Sequence, residues 1–530
     1  MHCKSDRGKN LATNGTNRFV PFVAAFAFSR QIVAEQRKGS CSSDIISKFD
    51  PNSIPLGSDK VIQEWLLEPA ILEELRGIVG AENMLASPEE LMTYECDGLA
   101  LHRHAPDAVV LPASHEEVAR IVEVARKHGI PFIPRGAGTG LSGGALARFG
   151  GIVIALTRMK SIRELDFENR QAIVQPGVIN LDLSRAASPS GYYFAPDPSS
   201  QMVSSIGGNL AENAGGPHCL KYGMTTNHVV ALQVVLPSGE TVELGSRAAD
   251  CPGYDLVGVF TGSEGTLGVA TRVVLKLSRL PQSAKTLLAG FRSMKEACDA
   301  VSVIIARGII PAALEMMDRR MVRTVNAATH VGLPAEADAV LIIELDGLTS
   351  ALQVQADQVA EICRQHNCQE LRVAKSEEER QMLWKGRKEA FGTLGRMTRD
   401  LYLHDAVVPR NRLSEVVSRI YESADRVGVP LACLAHAGDG NLHPILLFNR
   451  TKDGEEAKIL DLVREMLRIC IDAGGTLSGE HGIGAEKNEY MDMLLSAADL
   501  EAMRHVRTAF NPDELCNPGK ILPGRFSRFC

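Results

Sequence analysis

A glycine-rich segment, Arg135-Gly-Ala-Gly-Thr-Gly-Leu-Ser-Gly-Gly144, most strongly constrains what this chain can fold into. It directly follows a predicted β-α-β unit, which consists of strands at 109–111 and 131–133 and a helix capped by Ser114 and Glu117. The segment matches the dinucleotide fingerprint, but only about six residues separate it from the next predicted strand, so no helix can open there. No Gly-Lys-Ser/Thr follows, which excludes a P-loop. The segment is therefore either a tight turn or a loop whose backbone N–H groups face a diphosphate.

Two further glycine-rich segments, Gly207–Gly216 and Gly262–Gly268, are predicted as loops beside strands. Each glycine adds about 0.5–1 kcal/mol of unfolded-chain entropy relative to alanine, so three such loops are costly if they are only structural. A long ligand that passes several loops explains them better. Beyond Pro281 longer helices alternate with strands, and we place a domain boundary there. The strands predicted on the two sides of it lie at 152–156, 172–175, 229–236, 241–244, 273–277, 340–345 and 432–436.

Composition and charge exclude several classes of protein. The chain has 530 residues, of which 45% are hydrophobic and 23% charged, so it can bury a large core. Its formal net charge of −7 does not indicate a surface built for nucleic acid or anionic lipid. The 12 Cys include no Cys-x-x-Cys pair, which argues against an iron–sulfur cluster or zinc knuckle within this chain and favours a reducing compartment.

The start of the chain is predicted to be an extension of the folded protein. Its longest apolar stretch, 19–28, is much shorter than the roughly 20 residues that a membrane span needs and contains Pro21. Basic residues outnumber acidic ones in this leader, so it is either a weak targeting sequence or, as we favour, a partly disordered extension. Apolar residues at helical spacing over 61–79, with Gly80 as the stop, predict the first helix.

Two histidines flank a predicted hairpin in the segment His436-Ala-Gly-Asp-Gly-Asn-Leu-His443. A two-residue turn at Asp439-Gly440 would place His436 directly opposite His443. Directly opposed residues have Cβ atoms about 4.5–5.5 Å apart on one face of a sheet. The two imidazoles could then share one cation, or they could form a half-buried pair without a ligand.

A second segment, Ser478-Gly-Glu-His-Gly-Ile-Gly484, places a carboxylate next to a third imidazole between glycines. Glu480 could complete a site of two histidines and one carboxylate with positions open to a substrate. The alternative is a solvated loop. A zinc hydrolase of the thermolysin type needs His-Glu-x-x-His on a helix, and the chain has no such string.

Taken together, these motifs resemble those of a known family. Besides the segments above, the chain carries Tyr-Glu-Cys-Asp-Gly at 94–98, Pro-Asp-Pro-Ser-Ser at 196–200 and Asn-Pro-Gly-Lys at 517–520. This series resembles the FAD-linked oxidases of the vanillyl-alcohol-oxidase fold, and within them the FAD-containing subunits of bacterial glycolate oxidases. The resemblance implies an α+β fold, in which a PCMH-type two-subdomain FAD-binding domain precedes an α+β FAD-linked oxidase C-terminal domain for substrate.

On this resemblance the chain divides into four parts. They are the extension at 1–57, a helical part of the FAD domain at 58–102, the PCMH-type FAD-binding domain at 103–281 and the C-terminal substrate and metal domain at 282–525.

The resemblance also implies site residues. His436, His443 and Glu480 would hold a divalent metal, Zn or Mn, while His481 would be the catalytic base. Arg387 would bind a substrate carboxylate, unless it is one more exposed charge on a Lys/Arg-rich helix. Residues 135–144 contain no His or Cys, so non-covalent FAD is expected. The FAD contacts implied are Arg135, Gly136, Ala137, Gly138, Thr139, Gly140, Ser142, Gly143, Gly144, Pro196, Asp197, Gly207, Gly208, Asn209, Asn213, Gly215, Gly216, Glu264, Gly265, Val269 and Asn517.

The implied activity is FAD-dependent oxidation of a 2-hydroxy acid, first glycolate and also D-lactate, to the 2-keto acid. The alternatives are a stand-alone D-lactate or D-2-hydroxyglutarate dehydrogenase, or a non-catalytic flavin scaffold, which would have no use for a base beside a metal. The expected partners are a flavin-binding subunit and an iron–sulfur subunit that pass electrons to quinone. The expected location is the cytoplasm, or the periphery of the inner membrane through those partners.

Overall fold

The computed structural model of the protein describes residues 67–99, 101–248 and 252–524. The extension predicted over 1–57 and the first residues of the predicted helix, 61–66, lie outside the described residues. The helix itself ends at Gly80, as the sequence predicts, but it begins only at Pro69, so Leu67 and Glu68 are not part of it. Within the described residues, no helix has the length and apolar composition needed to cross a membrane.

The first sheet has four strands in the order β1-β2-β4-β3, and β2, β4 and β3 are parallel. The helix of the predicted β-α-β unit packs against it. Ser114 caps that helix by accepting the N–H of Glu117, but the Glu117 carboxylate accepts the N–H of Ala113 and not that of Ser114, so only half of the predicted capping box forms. The elements are α1 (Pro69–Val79), β1 (Met84–Leu85), α2 (Pro88–Leu91), β2 (Ala108–Val110), α3 (His115–His128), β3 (Phe132–Arg135) and β4 (Ile152–Ala155).

The second sheet has five antiparallel strands in the order β5-β6-β10-β8-β9, and β7 pairs with β11 beside it. An apolar cluster between the sheet and the helices that follow its strands forms the core of this part. The strands are β5 (Ile162–Asp166), β6 (Gln171–Val174), β7 (Tyr192–Tyr193), β8 (Val229–Val235), β9 (Thr241–Gly245), β10 (Val269–Lys276) and β11 (Ser278–Arg279). The helices are α4 (Asn180–Ala187), α5 (Ile206–Glu212), α6 (Cys219–Tyr222) and α7 (Leu256–Phe260).

The second glycine-rich segment is not the loop that the sequence predicts, because most of it forms α5. Ser205 caps this helix by accepting the N–H of Gly208 at 3.3 Å, and Asn213 ends it in the left-handed conformation. A Cβ on Gly207 would lie 2.6 Å from the Cβ of Pro176, so glycine lets the helix approach the neighbouring backbone. The cap and the close packing outweigh the low helix propensity of two glycines.

The third sheet is built from Ser283 onwards and has the order β15-β12-β14-β13-β18-β19-β16, with β17 also paired to β19. Its strands are β12 (Ser283–Phe291), β13 (Ala313–Asp318), β14 (Ala339–Gly347), β15 (Glu370–Val373), β16 (Asp400–Leu403), β17 (Ala406–Val407), β18 (Leu431–His436) and β19 (Asn441–Phe448). The helices that accompany it are α8 (Met294–Ala306), α9 (Arg319–Thr329), α10 (Thr349–Gln365), α11 (Glu377–Leu394), α12 (Leu413–Arg426), α13 (Glu455–Asp472) and α14 (Ala497–Phe510).

Helices cover both faces of the third sheet. Residues of α8, α10, α12 and α13 belong to the apolar cluster on one face, and residues of α9 and α11 belong to the cluster on the other. Successive side chains of a strand alternate between the faces. In β18, Ala435 therefore joins the first cluster, whereas Leu434 and His436 point to the face that α9 and α11 cover. The candidate site lies at the polar end of that second face.

Candidate active site

The two histidines of the hairpin converge, but not in the predicted register. His436 lies opposite Asn441, and His443 lies opposite Leu434, so the prediction that the histidines oppose each other is wrong. The connecting loop is longer than the predicted two-residue turn, and a Cβ on Gly440 would lie 2.1 Å from the carbonyl oxygen of Val408. Because the shift is two residues, both imidazoles stay on one face, with ring centroids 5.2 Å apart.

Glu480 comes between the two imidazoles. Its Oε1 lies 3.3 Å from Nε2 of His436 and 3.2 Å from Nε2 of His443. One ligand atom from each of the three residues lies within 4.8 Å of the others, and a second group of Asp405, His443 and His481 meets the same limit. Burial alone raises the pKa of Glu480, but the imidazoles outweigh it and hold that pKa well below its usual value. Two nitrogens and an anionic oxygen are a donor set that fits a divalent transition-metal ion.

Glu315, which the sequence analysis did not identify, stands behind His436. It lies on β13 directly opposite His436, and its Oε1 is 2.7 Å from the Nδ1 of that histidine. A carboxylate in this position keeps the proton on Nδ1 and leaves Nε2 free to face Glu480. The available signal in the sequence was a carboxylate in the middle of the apolar strand 313–318, where it is fully buried.

Arg387 lies on α11 and is buried, only 5% exposed, so the alternative of an exposed charge is wrong. Its Nη2 forms an ion pair with Oε2 of Glu315 at 2.6 Å. Its Nε has no hydrogen-bond partner among the residues that the structure describes. The guanidinium therefore has one edge on the carboxylate behind His436 and keeps a free N–H donor.

Opposite ends of the Ser478–Gly484 segment are held by different parts of the chain. Near its start, Asp405 accepts hydrogen bonds from the Ser478 hydroxyl and from three successive backbone N–H groups. At its end, Glu264 accepts the N–H groups of Ile483 at 2.7 Å and Gly484 at 2.6 Å. The sequence predicts Glu264 as a cofactor residue, and the structure shows its side chain joining the third glycine-rich segment to the segment that carries Glu480.

His481 stacks on His443, with ring centroids 5.2 Å apart and an interplanar angle of 13°. Its Nε2 lies 3.8 Å from Oε1 of Glu480. Burial lowers the pKa of His481 to about 4, although Asp405 opposes the shift. The imidazole is therefore neutral near pH 7 and has a lone pair that can accept a proton.

The first glycine-rich segment has the backbone conformation expected of a phosphate-facing loop. Gly138 has φ of +70° and Gly143 has φ of +74°, a region that other residues rarely adopt. The Arg135 guanidinium is bonded to the carbonyl oxygens of Tyr94, Cys96 and Ala145, so this side chain secures the loop from behind. Only the backbone of Arg135 remains to meet a cofactor.

The other residues predicted to contact FAD belong to several segments of the chain, some of which are joined by hydrogen bonds. Asn517 donates to the carbonyl oxygens of Gly144 at 2.8 Å and Glu264 at 2.7 Å, and so ties the first and third segments together. The loop itself contains Gly136, Ala137, Gly138, Thr139, Gly140, Ser142, Gly143 and Gly144. Gly207, Gly208 and Asn209 lie in α5, Asn213, Gly215 and Gly216 follow it, Pro196 and Asp197 follow β7, Gly265 follows Glu264, and Val269 opens β10.

A cavity of about 560 Å³ is lined by some of the predicted cofactor residues and by Glu480, whereas none of the three histidines belongs to its walls. Its walls include Asn213 and Glu264 from the FAD side and Ser478 and Glu480 from the C-terminal part. This volume is within the usual range for cofactor and ligand pockets. Glu212, a further wall residue, was not identified from the sequence although it lies in a quoted motif.

A second group of polar residues that the sequence analysis missed joins the FAD side to the third sheet. His218 Nδ1 lies 2.8 Å from the carboxylate of Asp197, a predicted cofactor residue, and His218 Nε2 lies 3.5 Å from Glu344. The imidazole also stacks on Trp384 of α11, with centroids 5.7 Å apart. Burial lowers the pKa of His218, but the effect of the two carboxylates is larger and raises that pKa to about 10.

With this geometry established, comparison with known proteins identifies the class. The family described as "FAD binding domain" matches residues 106–245, and the family described as "FAD linked oxidases, C-terminal domain" matches residues 280–521. The chain belongs to the FAD-linked oxidase family, which confirms the resemblance, the enzyme class and the FAD cofactor predicted from the sequence.

Among its relatives, glycolate oxidase subunit GlcD of Escherichia coli is 44% identical over 454 residues, which cover 86% of this chain and 91% of that protein. The GlcD subunit of Bacillus subtilis is 38% identical over 85% of this chain and 96% of its own length. A mitochondrial D-lactate dehydrogenase [cytochrome] of Arabidopsis thaliana is 33% identical over 79% of this chain and 74% of its own length.

A solved structure shows the fold independently. The structure of p-cresol methylhydroxylase with substrate bound matches with a TM-score of 0.73 at 15% sequence identity, over 86% of this chain and 98% of that one. This likeness confirms the predicted PCMH-type α+β architecture.

Proposed function

We propose that this protein oxidises a 2-hydroxy acid, with glycolate as the first candidate, to the 2-keto acid with FAD as the cofactor. The observation that carries the proposal is the convergence of His436, His443, Glu480 and His481. Glu480 also lines the cavity that Asn213 and Glu264 border on the FAD side. Relatives named for glycolate oxidase and D-lactate dehydrogenase support a 2-hydroxy acid as the class of substrate.

The metal ligands in this proposal are His436, His443 and Glu480, with Zn²⁺ or Mn²⁺ as the ion. Their ligand atoms fit because they converge on one point and because Glu315 already directs His436 towards it. A divalent ion there would polarise the substrate hydroxyl and lower its pKa.

The remaining steps fall to side chains of this chain. Arg387 would bind the substrate carboxylate through its free Nε, while its Nη2 stays on Glu315. His481, neutral near pH 7, would accept the hydroxyl proton. FAD, when bound, supplies the acceptor for the hydride that leaves the α-carbon. The residues around the first glycine-rich segment would hold it without a covalent bond, since that segment has no His or Cys.

Two electrons must then leave the protein. We propose that partner subunits, one flavin-binding and one iron–sulfur, carry them towards quinone, because the relatives with the highest identity quoted above are themselves named as subunits. In this proposal the chain is cytoplasmic, and only its partners bring it to the membrane periphery.

A second candidate substrate class has support as well. Several relatives at 32–33% identity are named D-lactate dehydrogenase, so a stand-alone D-lactate or D-2-hydroxyglutarate dehydrogenase is the alternative activity. A non-catalytic scaffold is disfavoured by the neutral buried base beside the metal-type site.

The test is anaerobic mixing of the purified flavoprotein with glycolate, D-lactate and D-2-hydroxyglutarate in turn, with the flavin absorbance followed over time. We expect glycolate to bleach the flavin fastest. His481→Ala should retain FAD but lose roughly 10²–10⁴-fold in the bleaching rate, the usual contribution of a positioned base. Bleaching by D-lactate or D-2-hydroxyglutarate alone would favour the alternative, and bleaching by none of the three would overturn the enzymatic proposal.

A further inference from the structure

We propose that Asp405 is a positioning residue, which holds the Ser478–His481 segment and the imidazole ring of His443 in one fixed arrangement. The inference rests on the proposed function, because it concerns the ligands His443 and Glu480 and the base His481. Asp405 itself is assigned no contact with substrate or cofactor.

The first observation is the set of donors around one oxygen of Asp405. The residue lies between β16 and β17 and is fully buried. Its Oδ2 accepts the Ser478 hydroxyl at 2.6 Å and the N–H groups of Gly479 at 2.9 Å, Glu480 at 3.2 Å and His481 at 3.0 Å. All four partners donate to this one oxygen, so the position requires an acceptor, and the oxygen of an ionised carboxylate accepts more strongly than that of a neutral amide.

The second observation concerns the other oxygen. Asp405 Oδ1 and His443 Nδ1 are both buried, both lack a hydrogen-bond partner among the described residues, and lie 3.8 Å apart. A small rotation of the ring would let Nδ1–H donate to Oδ1. That hydrogen bond would leave the lone pair on Nε2, the nitrogen that lies 3.2 Å from Glu480 Oε1. One carboxylate would then orient both a ligand ring and the segment that carries the other ligand and the base.

The third observation is that the charge of Asp405 is compensated locally. The ammonium group of Lys487, also fully buried, lies 3.8 Å from Asp405 Oδ2 and donates to the backbone oxygen of Asp405 at 2.9 Å. A buried carboxylate with a cation and this many donors can remain ionised. The Asp405 carboxylate is therefore stabilised in its buried position by these groups of the protein alone.

Asp405→Asn is the direct test, with Asp318→Asn as the matched control. Asp318 is also a buried carboxylate of the third sheet and accepts a backbone N–H and the Tyr421 hydroxyl. Within the described part of the chain, no hydrogen bond or ion pair joins it to a candidate ligand. In full-length FAD-loaded protein, Zn²⁺ affinity is measured by competition with a chelator, and flavin reduction by glycolate is measured at saturating Zn²⁺.

We expect Asp405→Asn to bind Zn²⁺ about 10–100-fold more weakly than the wild type, the usual effect of losing a group behind a metal ligand. It should also reduce its flavin more slowly at saturating Zn²⁺ while keeping its FAD, because a neutral amide oxygen holds the segment that carries His481 less firmly than a carboxylate does. Asp318→Asn should lower the thermal midpoint and leave Zn²⁺ affinity unchanged. Wild-type affinity and rate in Asp405→Asn, or an equal loss of Zn²⁺ in both variants, would overturn the proposal.

Ser478 provides a milder perturbation if Asp405→Asn does not fold. Ser478→Ala removes one donor to Oδ2 and should weaken Zn²⁺ binding to a smaller extent, whereas Ser478→Thr restores a hydroxyl and should recover it. An unchanged Zn²⁺ affinity and flavin-reduction rate in Ser478→Ala would overturn the proposal.

Failure of the proposed function would look different. If the wild type binds neither Zn²⁺ nor Mn²⁺, its proposed metal site is wrong, and the flavin-reduction rates of the same variants alone decide whether Asp405 positions His481. If no hydroxy acid reduces the wild-type flavin, the Zn²⁺ affinities of the same variants alone decide whether Asp405 positions the metal ligands.

Discussion

Replacing Glu315 with Gln tests whether a buried carboxylate organises the candidate metal site. In the wild type, its two oxygens lie 2.7 Å from His436 Nδ1 and 2.6 Å from Arg387 Nη2. Gln has nearly the same shape but no charge, so the guanidinium of Arg387 is left buried without its anion. Breaking a buried ion pair from one side costs about 3–5 kcal/mol of folding free energy. Losing the carboxylate behind a ligand histidine should also weaken metal binding by about 10–100-fold.

The two effects are measured separately, by urea unfolding and by chelator competition for Zn²⁺. Glu344→Gln is the control, because Glu344 is a buried carboxylate on the neighbouring strand that accepts from Thr286 and Trp384. Among the described residues, no hydrogen bond or ion pair joins it to His436. It should lose stability and keep its Zn²⁺ affinity. Wild-type Zn²⁺ affinity in Glu315→Gln, or an equal loss in Glu344→Gln, would refute the reasoning.

The stability loss of Glu315→Gln should also depend on pH. Burial raises the pKa of Glu315, but His436 and Arg387 outweigh it and hold the pKa below its usual value. A group with a lowered folded pKa stabilises fully above its unfolded pKa, about 4.3 for Glu, and loses that contribution as the pH falls through the folded pKa. The difference in unfolding free energy between wild type and variant should therefore shrink on acidification below about pH 4.

Four further predictions address other parts of the site. Gly138→Val should yield colourless protein by flavin absorbance, because φ is +70° and the new Cβ would lie 2.3 Å from the guanidinium behind the loop. His436→Ala and His443→Ala should each lose bound metal by elemental analysis while retaining FAD, and metal content unchanged in both would exclude the ligand set. Arg387→Lys should lose about 10–100-fold in kcat/KM for glycolate, since lysine cannot bond Glu315 and a carboxylate together and such charged hydrogen bonds contribute about 1.5–3 kcal/mol each. His218→Gln should be less stable than the wild type at pH 6.5 and nearly as stable near pH 10. The pKa of His218 is raised to about 10, so the stabilisation by its protonated ring is lost as the pH rises from about 6.5 to that value. A difference in unfolding free energy that stays constant with pH would contradict this.

The sequence by itself determined the parts of this protein that depend on a few neighbouring residues. Ser114 marks the start of α3, and the positive φ of Gly138 belongs to a loop that only glycine forms easily. These features are readable because caps and turns depend on interactions within one or two turns of chain. The motif series was long enough to identify the FAD-linked oxidase family, since each motif combines rare residue types at fixed spacing.

The tertiary structure decided the register and the charges behind the site. His436 lies opposite Asn441 and not opposite His443. The loop between them packs against Val408, a contact that hairpin geometry alone does not predict. His436 meets Glu315 across 121 positions of sequence. Such pairings depend on which strands become neighbours and on which side chains lie beside a buried charge. The periodicity of residues along one strand or helix determines neither of these.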